Sequence, residues 1–267
     1  MTAPDPAIRI EQINNILSVV PDVNPIHESA SRPSTGSSTE DDSKLFEGHN
    51  EEQIKLMEEV CIVLNYDDKP IGSASKKTCH VLPNIAAGLL HRAFSVFLFN
   101  DKNELLLQQR ADEKITFANM WTNTCCSHPL AIPTEIGFDL ESSIVGVKNA
   151  AQRKLLQELG IRSEEVPVDK FQFLTRIHYE APSDGVWGEH EMDYILIIKA
   201  NVNLDVNPNE CRDVKYVSAT ALKEMFKDES ITFTPWFKLI CDSYLFKWWD
   251  NLDDISKFRS DEIDRMI

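Results

Sequence analysis

The stretch VGVKNAAQRKLLQELG, residues 145–160, constrains the fold more than any other. It consists largely of strong helix formers, carries an apolar face and ends on Gly160, a residue suited to the left-handed turn that stops a helix. Runs that read as strands lie on both sides of it. Residues 93–110, AFSVFLFNDKNELLLQQR, are two apolar runs around a polar turn at 100–104, the pattern of a hairpin. Residues 170–181 (KFQFLTRIHYEA) and 191–201 (EMDYILIIKAN) are two more strands joined by a Ser-Asp-Gly loop. Residues 58–72 add a strand and a turn at Asp67–Pro70. Two helices follow, one over 218–227 with Ser218 as its cap, the other over 234–252 with Thr234 as its cap and Pro235 in the first helical position. Helices and strands mixed without strict alternation predict an α/β chain of the α+β kind, with mixed α/β/α layers.

The ordered part is expected to begin near residue 52. Residues 21–52 are rich in Pro, Ser, Gly and acid, and such a segment buries too little apolar surface to offset its ordering entropy. Residues 1–50 are therefore read as a disordered extension and 51–267 as one domain. Within the extension Ile8, Ile10, Ile13, Ile16 and Leu17 have the spacing of a short amphipathic helix, either a partner-binding segment or, as expected here, a loosely attached helix with no role. Its removal is expected to leave turnover unchanged.

A formal net charge of -16 argues against nucleic acid or an anionic membrane as the main partner, though a local basic cluster can still take a small anion. No run of 18 apolar residues is present, and the N-terminus lacks the pattern of a secretion signal. Six cysteines without a CxxC pair fit reduced thiols, hence a cytosolic protein.

Three groups of residues could carry chemistry. His80, His91 and His128, with Glu189 and Glu191 two apart at a strand entrance, could be the ligands of a divalent ion or surface groups that never meet. Cys126, two residues before His128, could be a nucleophile, a proton-transfer group or an inert buried thiol. Strand alternation points Cys125 the other way. Lys76, Arg110 and Lys114 are basic residues in an acidic chain, suited to a diphosphate or simply solvated.

Residues 153–161 resemble a degraded Nudix box. Arg153, Leu155, Glu158, Gly160 and Ile161 fall in register, while Lys154, Gln157 and Val145 stand where the pattern has glutamates. That departure suggests the scaffold without the hydrolysis. HRAFSVFLFN, LLLQQR, TNTCCSHPL, RIHY, GVWGEHEMDYIL, TPWFKLI and LFKWWDNL together closely resemble the eukaryotic type I isopentenyl-diphosphate delta-isomerases, over roughly residues 53–257.

The resemblance implies a Nudix-like α/β/α sandwich with its core at about 89–242. It also implies interconversion of isopentenyl and dimethylallyl diphosphate, a step of isoprenoid and sterol biosynthesis, through a tertiary carbocation. It makes Cys126 and Glu191 the two proton-transfer groups, with Tyr179 bonded near that carboxylate and Trp236 facing the cation. It makes His80, His91, His128, Glu189 and Glu191 the metal ligands and Lys76, Arg110, Lys114 and Ser127 the diphosphate contacts. Glu158 would help hold a second Mg²⁺. The cofactor implied is Mg²⁺, with Mn²⁺ or Zn²⁺ as alternatives at the histidine-rich site, and the partner is a small diphosphate substrate; the chain is separately expected to be a monomer. The loop at 183–191 is expected to be a lid or wall, with Trp187 over the alkene. The rival readings are a Nudix-type diphosphate hydrolase and a catalytically dead binding module.

Overall fold

The structure is a computed structural model that describes residues 6–26 and 45–267. Its centre is two long neighbouring strands, β4 (Leu90–Phe99) and β9 (Gly188–Lys199), paired in parallel from His91↔Glu191 to Phe99↔Lys199. β8 (Gln172–Pro182) forms an antiparallel hairpin with β9. β2 (Val60–Leu64) and β3 (Pro70–Ser75) extend the sheet beyond the start of β4. β7 (Cys125–Ser127) lies antiparallel to the middle of β4, placing Cys126 opposite Ser95. β5 (Leu105–Arg110) follows β4 and pairs with β10 (Cys211–Val217).

Both faces of this sheet are covered, which is why β4 and β9 read as near-continuous apolar runs. On one face the helix Leu140–Leu159 packs Val147, Ala151 and Leu155 into a core shared with Phe94, Leu98, Tyr194 and Leu196. Asp139 caps it by accepting from Ser142 N at 2.9 Å, and Ser142 Oγ accepts in return from Asp139 N. Gly160 ends it at φ +67°, where an added Cβ would lie 2.4 Å from Asp205 O. On the other face Phe97, Phe99, Ile195 and Ile197 pack against Trp236, Phe237, Leu245 and Trp249. The closing helix differs from a single run over 234–252: it is Pro235–Ile240, a π turn over Cys241–Leu245, then Phe246–Trp249. Thr234 precedes it without capping, because its hydroxyl bonds Thr122 Oγ1 at 2.8 Å.

The N-terminal segment corrects the expectation of a disordered extension over 1–50. Residues 6–26 fold onto the domain as the helix Pro6–Asn14, a short turn of helix Ile16–Val19 and a bridge to β3. Ile13 joins the main core, and Ile16, Val20 and Val23 pack with Cys61, Val63 and Ala74. The chain approaches so closely that a Cβ at Gly88 (φ +104°) would meet Ile13 N at 2.8 Å. Arg9 bonds Glu180 on β8 and Ile85 O, and Asn14 Oδ1 accepts from Tyr66 N at 3.0 Å. A helix this short is marginal alone; its spaced isoleucines are stabilised by the groove beneath them. The described residues continue from 45, before the helix Glu51–Leu56. The expectation of disorder over 27–44 lies outside the described residues.

Candidate active site

β9 contributes Glu189, Glu191 and Asp193 to one face at its entrance and Ile195 and Ile197 to the core farther along the same face. His91 stands beside Glu191 in the β4–β9 ladder, and Tyr179 stands across from Glu191 in the β8–β9 hairpin. His80 arrives on the helical turn Lys76–His80, capped by Ser75 Oγ accepting from Thr78 N at 3.1 Å. Its Nδ1 bonds Lys76 O at 2.6 Å, which turns Nε2 toward the carboxylates. His128 follows β7, and Arg153 on the long helix donates to its carbonyl at 3.3 Å.

These elements bring His80, His91, His128, Glu189 and Glu191 together, all buried, with ligand atoms within 4.8 Å of one another. His80 Nε2 lies 2.8 Å from Glu189 Oε2 and His128 Nε2 lies 2.8 Å from Glu191 Oε1. Such distances suit ion pairs, but burial lowers the imidazole pKa values, that of His80 to about 4 and that of His128 well below its usual value. Burial thus favours the neutral imidazole, the form in which histidine ligates a metal. Burial also raises Glu189 well above the carboxylate range, helped by the Glu191 charge. Burial works the same way on Glu191, but the hydrogen bond with His128 and the nearby His91 imidazole, 3.4 Å away, outweigh it and hold that group low. His80 Nε2, both nitrogens of His91, His128 Nδ1 and Glu189 Oε2 are buried without a hydrogen-bond partner. Five convergent donors, most of them left unsatisfied by the protein, fit a divalent ion.

Cys126, half-buried on β7, lines the same cavity as Glu189, Glu191, Tyr179 and Trp236. Burial and then the Glu191 charge push its thiol well above the ordinary range. A thiol that keeps its proton is suited to donating it, not to nucleophilic attack. His128 does not activate it: its Nε2 is turned to Glu191. Cys125 points to the opposite face, buried, with its sulfur 3.5 Å from Glu158 Oε2. Tyr179 OH donates to Glu191 Oε2. Ser95, opposite Cys126 in the ladder, donates to Asp193 Oδ2 at 2.8 Å.

The basic residues Lys76, Arg110 and Lys114 line this cavity together with Ser127 and Glu158. Arg110 is held by the carbonyls of Phe117 (3.1 Å) and Thr116 (2.9 Å), with its guanidinium 5.8 Å from the Trp236 ring. Lys114 Nζ donates to Glu210 Oε2 at 2.6 Å, yet burial brings its pKa down to about 8. Of the altered Nudix box, Glu158 pairs with Lys154 at 3.4 Å, and Gln157 donates to Glu210 Oε1 at 3.2 Å. Glu210 was missing from the residues expected at the site. It sits in an Asn- and Asp-rich loop that reads as solvated, and only the crossing of the chain into β10 buries it. Asn123 and Thr116 were missed as well. Trp187 departs from its expected place over the alkene: it lies outside the cavity, stacked on Phe46 with ring centroids 5.7 Å apart.

Comparison with known proteins gives this fold and centre a context. The NUDIX domain family matches residues 89–237, more than half of the chain. The molecule is thus a Nudix domain, a class that uses divalent metal, consistent with the clustered histidines and glutamates. The chain is 70% identical to the isopentenyl-diphosphate delta-isomerase of Gibberella zeae over 226 residues, covering 84% of this chain and 89% of that protein. It is 58% identical to the isopentenyl-diphosphate delta-isomerase of Candida albicans, with 95% of each chain covered. It is 54% identical to the isopentenyl-diphosphate Delta-isomerase 1 of Mesocricetus auratus, over 78% of this chain and 92% of that one. The chain belongs to the isopentenyl-diphosphate delta-isomerase family.

Proposed function

We propose that proton transfer on two faces of a five-carbon unit, with Cys126 on one face and Glu191 on the other, is how this chain carries out its interconversion of isopentenyl and dimethylallyl diphosphate. The observation that carries the assignment is that Cys126, Glu191, Tyr179 and Trp236 line one cavity with Lys76, Arg110 and Lys114. The same arrangement argues against the two rival readings. A hydrolase needs the box carboxylates that Lys154 and Gln157 replace, and a dead binding module would lack the thiol or the carboxylate.

One of the two groups adds a proton to the terminal methylene carbon of the alkene, leaving a tertiary cation at the branched carbon. The other takes a proton from the neighbouring methylene, and the double bond forms there. Atoms balance with no oxidant and no leaving group. Trp236, T-stacked on Phe117 at 5.1 Å, offers its ring face to the cation. Tyr179 holds the Glu191 carboxyl by its hydroxyl. The buried walls keep water from the cation, which it would trap as an alcohol.

His80, His91, His128, Glu189 and Glu191 would hold a divalent ion. Three imidazoles favour Zn²⁺ or Mn²⁺ there, whereas Mg²⁺ suits the diphosphate and Glu158. Such an ion supplies fixed positive charge that orients Glu191 and tunes its proton affinity. Lys76, Arg110, Lys114 and Ser127 bind the diphosphate. The chain is read as a cytosolic monomer, six cysteines without a CxxC pair being suited to a reducing compartment.

The test is isopentenyl diphosphate in deuterated water with Mg²⁺. Dimethylallyl diphosphate carrying deuterium is expected; absence of turnover, or release of phosphate from a diphosphate panel, would overturn the reading.

A further inference from the structure

Asn123 is fully buried in the stretch that leads into β7, and all of its polar atoms are engaged. Its Nδ2 donates to Val96 O at 3.1 Å and to Cys125 O at 2.9 Å. These two bonds continue the β4–β7 ladder by side chain where the backbone pairing stops, and they fix the direction of the amide. Its Oδ1 then accepts from Thr122 Oγ1 at 2.9 Å and from the indole Nε1 of Trp236 at 3.2 Å. Thr122 is itself tied to Thr234, two residues before Trp236.

Trp236 needs this. It sits in the first turn of a helix of only six residues, Pro235–Ile240, with the Phe117 ring perpendicular to it and the Arg110 guanidinium nearby. Ring packing alone leaves an indole free to slide and to rock out of its plane. A directed hydrogen bond from its one N–H removes that freedom. Attraction between a cation and an aromatic face falls off when the face tilts away, so tilt matters most when the charge exists, in the transition state. An indole whose N–H is donated to an acceptor also keeps more electron density on its face.

We propose that Asn123 is a positioning residue for the isomerisation: its side-chain oxygen holds the Trp236 indole by Nε1–H, so that the ring face stays aimed at the carbon where positive charge develops. The inference rests on the reading of Trp236 as the cation-facing aromatic. It goes beyond that reading in assigning a function to an amide that touches neither substrate nor metal.

The test combines a double-mutant cycle with a direct probe of the indole. Asn123→Ala, with Asn123→Ser as the milder variant in case alanine does not fold, is measured alone and in the Trp236→Phe background, which keeps an aromatic face but has no N–H. Loss of one directed hydrogen bond predicts a fall in kcat of about tenfold in the wild-type background, with KM changed less than about threefold. In the Trp236→Phe background the same Asn123 change is expected to lower kcat less than about twofold, because the bond it served is already gone. In a ¹H–¹⁵N spectrum, the indole resonance that disappears in Trp236→Phe is expected to move upfield in Asn123→Ser. Equal kcat losses in the two backgrounds, or an unmoved indole resonance, would overturn the proposal while leaving Trp236 in its place. An unchanged kcat in Trp236→Leu would remove both, and is read separately because Asn123 is intact in that variant.

Discussion

Ile13→Ala is the sharpest probe of the N-terminal segment. Ile13 is completely buried and belongs to the core that includes Ile62, Leu64 and Leu90, whereas Ile8, five residues earlier on the same helix, is 53% exposed. Truncating a fully buried isoleucine to alanine costs about 2–5 kcal/mol, because a cavity remains where the side chain was. Here the lower half of that range is expected, since a terminal helix can settle inward. At about 2–4 °C per kcal/mol for a domain of this size, a loss near 3 kcal/mol lowers Tm by roughly 6–12 °C. Ile8→Ala should stay within about 0.5 kcal/mol of the parent. Thermal and urea unfolding of the two variants side by side is the assay. Deleting residues 1–26 should cost more than Ile13→Ala, since Ile16, Val20 and Val23 leave the fold as well and the Arg9–Glu180 pair is lost. If Ile13→Ala and Ile8→Ala unfold at the same temperature as the parent, the segment is not part of the cooperative domain.

Glu191→Gln should lower turnover by about 10²–10⁴-fold while inorganic pyrophosphate still binds, read by calorimetry, because the basic contacts are untouched. Lys114 has its folded pKa lowered to about 8, so its positive charge is lost as pH rises through that value. Pyrophosphate affinity of the free enzyme should accordingly weaken above about pH 8, and Lys114→Arg, which keeps its charge, should abolish that limb. Asp68→Ala should destabilise the fold by about 3–5 kcal/mol in denaturant titration, since it strands the buried Arg92 (3.0 Å) and Arg176 (2.8 Å) that Asp68 neutralises.

That Glu189 and Glu191 share a side was legible because strand alternation is rigid, whereas spacing alone left open whether His80, His91 and His128 would meet them, and only the resemblance put the five together. The long helix was equally legible from its formers and its terminal glycine, although Asp139 starts it earlier than the apolar face alone suggests. What escaped depends on contacts distant in sequence. Asn123 looks like a loop residue until Val96 and Trp236, 27 and 113 positions away, are placed around it. Glu210 looks solvated until Lys114 and Gln157 close over it. Trp187 is a candidate cover for the alkene by its place in the loop at 183–191, yet it stacks on Phe46 instead, a contact that nothing local in the sequence announces. The isoleucine spacing of the first helix was visible, but nothing local says that a groove exists to receive it.

The central claim is that the sulfur of Cys126 and the carboxyl of Glu191 carry the proton traffic from opposite sides of the substrate. Its most direct test is the isomerisation rate of Cys126→Ala beside that of Cys125→Ala, both with full metal content and intact fold. Loss of about 10²–10⁴-fold in the first, with the second retaining most of its turnover, is the result expected. Undiminished isomerisation in Cys126→Ala, or equal losses in both, would contradict it.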